Sequence, residues 1–579
     1  MKPSACFLIL SVMATVAIGQ PLASRKLAPE LTGLDPNATV DVIVKYNQEP
    51  TGFHRANAER LGARMVHSLE LIKSHHYRMT ADRLAELAED PAVEYIHPDR
   101  EVRATGSSVP VQPDYGWVSL LNLSSPFGSV EQDGSNIGVA IIDSGISANA
   151  DLQSGEENQS RVVYSQSFVP GDNSTNDAYG HGTHVAGIAG GDGSNSLQST
   201  TYVVKGLATN VSLINLRVLD SLGASSDSVV IAAIQQAVAL KHKYNIRVIN
   251  LSLGRPVATS YKNDPLCQAV EAAWNAGIVV VVAAGNNGRY SATAGYGTIT
   301  SPGNDPYVIT VGAMNTNATL SRSDDKMASY SSKGPTAIDF VVKPDLVAPG
   351  NRILSVLASN STLAFLSPAS ILSLLTGGAR PYYFQLSGTS MAAPAVSGAA
   401  ALLLQQNSSL TPDQVKAKLM LTASKTFPAA VCPAGATCPT QAYETTTATD
   451  AITGVAYKTY YDVFTVGAGY LDVNKALTTW ASPSSSLSAV SPSASYNATT
   501  GAVTLVNGSG VIWGSSTNWG TSVIWGTNVL SGNSVIWGTG IIWGTNAPAA
   551  SSVIWGTGII WGTDPLAAEG VLLSLLGEQ

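Results

Sequence analysis

Gly138-Val139-Ala140-Ile141-Ile142-Asp143 is an apolar run that ends on a carboxylate. A run without polar alternation suits a strand buried on both faces, as in a parallel sheet covered by helices. Three more such segments follow: Val211–Leu216, Val248–Leu253 and Ile278–Ala283. Between them, Ser228–His242 and Pro265–Asn275 carry helical patterning. Strands alternating with helices predict an α/β unit, a mostly parallel sheet with helices on both faces. Such sheets gather reactive groups at the carboxyl ends of their strands, which is where Asp143 stands.

On either side of this region the composition changes. The chain has 579 residues, enough for several units. Its 32 Lys+Arg against 40 Asp+Glu give a net charge of −8, so no basic excess exists to neutralise a nucleic acid backbone. Charged residues make up only 12%, yet after the N-terminus no apolar run is long enough to span a bilayer. Lys2 followed by the apolar stretch Ala5–Ile18 and small residues Ala17 and Gly19 reads as a secretory signal over residues 1–19. The expected localisation is therefore secreted, extracellular or at the cell surface.

Residues 20–103 are ordinarily charged, with 11 Lys+Arg and 13 Asp+Glu, and hold His54, His67, His75, His76 and His97. Strand patterning at Val40–Val44 and Val93–Ile96, with helical patterning at Phe53–Leu61 and Thr80–Ala88, predicts a small α+β unit over 20–105. At the other end, Ala476–Thr563 contains no Asp, Glu, Lys, Arg or His. A Ser/Pro/Ala-rich linker is expected over 481–510, a repeat over 511–563 and a tail over 564–579. In the repeat, Trp513, Trp519, Trp525, Trp537, Trp543, Trp555 and Trp561 fall on one six-residue register. An even period keeps them on one face of an extended chain, whereas a helix would scatter them, so the repeat reads as β. Its Trp face is a candidate for contact with glycan or a cell surface. Cys432 and Cys438 bracket a short Pro/Gly loop that can close as a disulfide outside the cell; Cys267 is left as a buried thiol.

Three segments of the region 106–480 carry chemistry: Asp143 after its strand, His181 in Tyr179-Gly-His-Gly-Thr-His184, and Ser390 in Leu386-Ser-Gly-Thr-Ser390-Met-Ala-Ala-Pro394. A serine is a weak nucleophile until an imidazole takes its proton, and the imidazole needs a carboxylate to fix its tautomer. Taken singly, each is more often a cap or turn residue than a catalyst; together they supply all three roles.

In this order DSGI, HGTHVAG, NLSLG, AAGNNG, KPDLVAPG and SGTSMAAP resemble the subtilisin-like (subtilase) serine proteases over about residues 115–480. The order Asp–His–Ser fits that family, while α/β-hydrolases and chymotrypsin-like enzymes run otherwise. The resemblance implies a subtilisin-like fold and a serine endopeptidase acting on proteins and peptides. It assigns Asp143 as the orienting carboxylate, His181 as general base and Ser390 as nucleophile. Asn286 falls where the family has its oxyanion amide, and His184 matches a structural histidine. Asp151 matches a family structural position and is read as a surface or turn carboxylate. The substrate-binding edges match Gly223, Ala224 and Ser225 on one side and Ser252, Leu253 and Gly254 on the other. These edges carry no charge, so an apolar or broad preference is expected. Thr300 in place of a family glycine would narrow the pocket base.

The 20–105 unit resembles the ferredoxin-like inhibitory propeptide of this family, cut from the enzyme between about Arg103 and Pro110, so the chain's own N-terminal unit is an expected intramolecular partner. The chemistry calls for no cofactor. Structural calcium is common in the family, but residues 190–200 offer only Asp192, Asn195 and backbone oxygens, which make no recognisable site, and no catalytic metal is expected. The stretch 357–385 is an apolar insertion, read as an added surface helix rather than a lid. Two other readings stay open here: a selective processing protease or transpeptidase, and a surface-binding protein whose Trp repeat is the working part.

Overall fold

The computed structural model describes residues 25–104, 132–154, 159–197, 203–372, 382–424, 427, 445–449, 455–479, 483, 488–497 and 502–506. The expected signal segment, the Cys432/Cys438 pair, the repeat 511–563 and the tail 564–579 lie outside them. The chain forms two compact units, Met1–Pro98 and Asp99–Gln579.

In the first unit the order is β1 (Thr39–Tyr46), α1 (Gly52–Arg60), β2 (Arg64–Leu69), β3 (Ser74–Thr80), α2 (Leu84–Ala88) and β4 (Val93–Pro98). The strands make one antiparallel sheet in the order β2-β3-β1-β4, the βαββαβ arrangement of ferredoxin-like folds. Thr51 starts α1 with a capping box in which His54, three residues on, stands where Glu or Gln usually does. Val42, Val44, Tyr77, Met79, Leu84, Leu87 and Ile96 form the core between the sheet and its helices.

The second unit is built on a sheet running β14 (Lys326–Met327), β13 (Ile309–Asn315), β12 (Val279–Ala283), β10 (Ile246–Leu251), β6 (Gly138–Asp143), β8 (Ser212–Arg217) and β7 (Val162–Ser167), with β15 (Leu346–Pro349) also on β13. All pairings are parallel except β13 with β14. Every residue of β6 and of β12 is buried, as their unbroken apolar sequences require. Helices α3 (Gly182–Gly190), α4 (Asp227–Tyr244), α5 (Pro265–Asn275), α7 (Thr389–Gln406) and α8 (Pro412–Thr422) accompany the sheet. Short strands β5 (Glu101–Ala104), β9 (Ala224–Ser226) and β11 (Leu253–Gly254) form a separate small sheet in the order β11-β5-β9.

Two stretches differ from their compositional reading. The insertion contributes α6 (Thr362–Leu366), β17 (Ile371–Leu372) and most of β18 (Tyr383–Leu386), which pairs with β17 and with β16 (Ile353–Val356) just before the insertion. Its α6 is a surface helix, with Phe365 and Leu366 exposed, and it also braces the loop that leads to His181: Thr362 N and Leu363 N donate to Ala178 O and Tyr179 O at 2.9 Å each. Within the expected linker, Ser493–Asn497 pairs with Ala502–Val506 as a hairpin, and Ala489 and Ser491 are buried. A segment without charge has little reason to stay in water when an apolar surface with matching polar groups is beside it.

Candidate active site

Asp143 ends β6 at the carboxyl edge of the parallel sheet, fully buried. Its Oδ1 accepts from Ser144 N at 2.7 Å and pairs with His181 Nδ1 at 2.7 Å. His181 is the residue before α3 and is itself fully buried. The close approach of the two elements depends on Gly182, where a Cβ would lie 2.3 Å from Gly145 O. A second carboxylate that the sequence reading missed holds this junction. Asp177 accepts from Ser144 Oγ at 2.7 Å, Gly180 N at 2.6 Å and Thr183 N at 2.8 Å, and Ser144 Oγ in turn accepts from Gly182 N at 2.8 Å. Burial raises the Asp177 carboxyl above the usual range, and these donors oppose the rise.

Ser390 lies in the first turn of α7. Its Oγ donates to Ser252 O at 3.0 Å, and Ser252 Oγ donates to Ser390 O at 2.9 Å. His181 Nε2 is buried with no hydrogen-bond partner among the described residues, so no Ser390–His181 hydrogen bond is made in this rotamer. Such bonds often form only when substrate binds. Asn286 follows β12 and is fixed by its Oδ1, which accepts from Thr389 N and Thr389 Oγ1 at 3.0 Å each. The oxygen is thereby committed to the residue before Ser390.

The two expected substrate edges are brought together across this site. Strand β5 lies between them, antiparallel to both: Arg103 faces Ala224 and Gly254, Val102 faces Ser225, and Ala104 faces Leu253. Ala104 N donates to Gly223 O at 3.0 Å. Val102 is fully buried in this arrangement. Upstream, Asp99 accepts from Ser228 N at 2.8 Å and Ser228 Oγ at 2.7 Å in the first turn of α4.

His184 is buried with Nε2 against Ile353 O and Phe384 O, and burial pushes its pKa down to about 3. It is a neutral structural donor. Asp151 is a turn carboxylate in the single 3-10 turn Ala150–Leu152, fully buried and not at the surface. It accepts from Asn195 N and Tyr383 Oη at 2.7 Å each, while Arg161 donates to its carbonyl at 2.6 Å. Asp192 Oδ1 likewise accepts from Ser194 N and Oγ. These oxygens are taken by protein donors, with the Arg161 guanidinium beside them. No group of three His, Cys, Asp or Glu suited to a metal occurs among the described residues. Cys267 is a buried free thiol.

Residues 134–505 match the family model described as the subtilase family. That is well over half of the chain. The chain belongs to the subtilase family of serine proteases. This subtilase is 40% identical over 293 residues to serine protease AprX of Bacillus subtilis (strain 168), a match spanning 49% of this chain and 60% of that protein. It is 34% identical over 389 residues to subtilisin E of the same organism, spanning 66% of this chain and 84% of that one. Among solved structures it resembles fervidolysin from Fervidobacterium pennivorans, described as a keratinolytic enzyme related to subtilisin, with a TM-score of 0.54 and 21% identity over 76% of this chain and 61% of that one. At that identity the likeness speaks for the fold alone.

Proposed function

We propose that this subtilase is exported as an inactive precursor and hydrolyses peptide bonds in proteins through an acyl-enzyme on Ser390. The observation that carries the reading is Glu101–Ala104 lying as the middle strand between β9 and β11, the posture of a bound peptide, on an edge whose preceding residue, Ser252, is bonded to Ser390. Main-chain pairing of this kind is indifferent to side chains, which suits a protease that takes many protein sequences.

In the reaction Ser390 Oγ turns from Ser252 O to His181 Nε2, gives up its proton and attacks the carbonyl carbon. Asp143 keeps the His181 proton on Nδ1 and stabilises the imidazolium that results. The oxyanion is received by the Asn286 side-chain amide and the Ser390 N–H; one such donor is worth about 10²–10³ in turnover, a value established on subtilisin itself. His181 then protonates the leaving amine, and a water molecule repeats the sequence in reverse to release the acid. These residues supply nucleophile, base and oxyanion donors between them, and no step calls for a cofactor.

The unit 20–105 acts as the propeptide, with its last described residues occupying the cleft as a product would. The signal at 1–19 supports export, and no helix among the described residues is long and apolar enough to cross a membrane. The one-faced Trp register of 511–563 supports contact with glycan or a cell surface. The test of the central claim is fluorophosphonate labelling with casein digestion, comparing wild type with Ser390→Ala. Labelling and digestion by the wild type alone is expected; an unlabelled wild type sinks the reading.

A further inference from the structure

The insertion that carries α6 is fastened to the site at more than one point. Ser361 caps the helix, its Oγ accepting from Ala364 N at 3.4 Å, and it stands against Gly180, where a Cβ would lie 2.4 Å from Ser361 Oγ. Thr362 Oγ1 donates to Ser221 O at 2.7 Å, which ties α6 to the residue before Leu222. Tyr179 joins the same two pieces: its carbonyl accepts from Leu363 N at 2.9 Å, and a Cβ on Gly223 would lie 2.7 Å from its ring. The loop to His181, the end of the edge Gly223–Ser225 and α6 form one continuous wall.

That wall is apolar where it meets water. Leu363 and Ala364 of α6 are buried, while Phe365 and Leu366 are 84% and 56% exposed. Leu222 is 70% exposed in the turn where Asp220 N donates to Ala224 O at 2.9 Å. The carboxylate of this turn is committed to its own backbone, Asp220 Oδ1 accepting from Leu222 N at 2.8 Å and Ala224 N at 3.0 Å. One apolar side chain in water needs no explanation, but three on one wall, beside an edge that already pairs with a strand, mark a contact surface. The direction of β5 says what covers them. Glu101 faces Ser226, Val102 faces Ser225, Arg103 faces Ala224, and Ala104 N donates to Gly223 O at 3.0 Å. A chain bound in this way runs toward Leu222, so the residues that follow the Ala104 position are delivered to the wall that bears Leu222, Phe365 and Leu366.

We propose that Leu222, Phe365 and Leu366 are a second contact for the protein substrate, an apolar surface that takes apolar side chains downstream of the part paired between β9 and β11. The partner is the polypeptide being cut, and what recognises it is hydrophobic burial. The inference rests on the protease reading above and deepens it. Main-chain pairing is indifferent to side chains, so this surface is what gives the enzyme a preference for unfolded, apolar-rich segments over polar ones. Partial cover of one Phe and two Leu side chains suffices for about a tenfold gain in affinity.

The processed enzyme is assayed on a pair of internally quenched peptides, with active sites counted by fluorophosphonate titration. The peptides are identical up to the cleaved bond and carry either Leu-Leu-Leu or Ser-Ser-Ser beyond it. Succinyl-Ala-Ala-Pro-Ala-p-nitroanilide, which has no residue beyond that bond, is the reference. Wild type should show a KM about tenfold lower for the Leu peptide than for the Ser peptide. Phe365→Ser combined with Leu366→Ser should raise the Leu-peptide KM to that of the Ser peptide and leave the nitroanilide kinetics unchanged, and Leu222→Ser should move it part of the way. Equal KM values in the wild type overturn the inference. So does an equal loss on all three substrates, which would leave α6 only its hold on the loop to His181. A second copy of the chain as the occupant would show as dimers in sedimentation that the double variant dissociates, with KM unmoved, and that too overturns it. If the double variant does not titrate, Leu222→Ser and the wild-type pair decide. Failure of the wild type to titrate would instead overturn the protease reading itself.

Discussion

Ser252 and Ser390 hold each other twice, the hydroxyl of each donating to the carbonyl of the other at 2.9 and 3.0 Å. The edge proposed to bind substrate backbone and the helix proposed to carry the nucleophile are thereby tied together at two points. Asn250 extends the tie, donating to Ser252 Oγ at 3.0 Å and accepting from Ser397 Oγ at 2.8 Å one further turn or two along α7. Ser252→Ala removes the contact to Ser390 O and leaves Asn250 without that acceptor. Positioning of a nucleophile is sensitive to small displacements, so kcat should fall about 10-fold or more. KM should change little, because main-chain pairing along Leu253–Gly254 is kept. Steady-state kinetics on one peptide substrate separates the two parameters; a change in KM alone would contradict this view of Ser252.

Asp177 works one layer further from the chemistry. It accepts three hydrogen bonds that bind Ser144, Gly180 and Thr183 into one turn around the Asp143–His181 contact. Asp177→Asn presents an amide NH₂ where two backbone N–H groups and a hydroxyl already donate. Leaving a buried donor unsatisfied costs about 1–3 kcal/mol. Melting temperature should drop, and kcat should fall with it as His181 loses its setting. Asp177→Glu, which keeps the acceptors but lengthens the arm, should recover part of the stability and less of the rate.

His184 gives the catalytic unit a built-in sensitivity to acid. Burial holds its pKa near 3 in the folded chain, against an ordinary value of 6.5. The folded state therefore binds fewer protons than the unfolded one between these values, and stability falls as pH drops below about 6.5. By pH 5 the loss attributable to this one group is on the order of 2 kcal/mol. Urea unfolding of the Ser390→Ala protein at pH 5, 6 and 7 measures the slope. His184→Gln should flatten it while lowering stability at pH 7, because it replaces the ring that packs against Ile353 and Phe384.

The parallel sheet was legible from runs such as Gly138–Asp143 because full burial leaves no polar alternation to confuse the reading. Asp143, His181 and Ser390 were picked out by the order of the motifs they sit in, not by their own segments, each of which is more often a cap or turn; the structure brings Asp143 and His181 into contact. Strands β2 and β3 were not legible. Their sequences, Arg64–Leu69 and Ser74–Thr80, are rich in His, Ser and Arg, and they become strands through pairing with each other and with β1 rather than through their own hydrophobicity. Asp177 was missed for a similar reason. An Asp four residues before His181 has no spacing that announces which turn it will close.

The stretch after residue 482 offers the last test, because composition and packing give different answers there. Composition marks 481–510 as a linker, so cutting at 482 should be harmless. Packing places Ser491 in a buried charge cluster: its Oγ bonds to Asp345 Oδ1 at 2.5 Å and accepts from Lys416 Nζ at 2.9 Å, while Lys343 Nζ meets Asp345 Oδ2 at 2.6 Å. Burial pushes the Lys416 ammonium down to about 7, so it depends on every partner it has. Pro492 O also accepts from Val342 N at 2.8 Å, and Ser493 bridges Val341. Removing 507–579 should leave both kcat and melting temperature close to wild type. Removing 483–579 opens the cluster to water and strips two of its bonds, which should destabilise the protease by about 2–5 kcal/mol and lower its melting temperature by roughly 5 °C or more. Equal melting temperatures for the two truncations would mean that residues 488–506 add nothing to the folded unit and that the linker reading was sufficient.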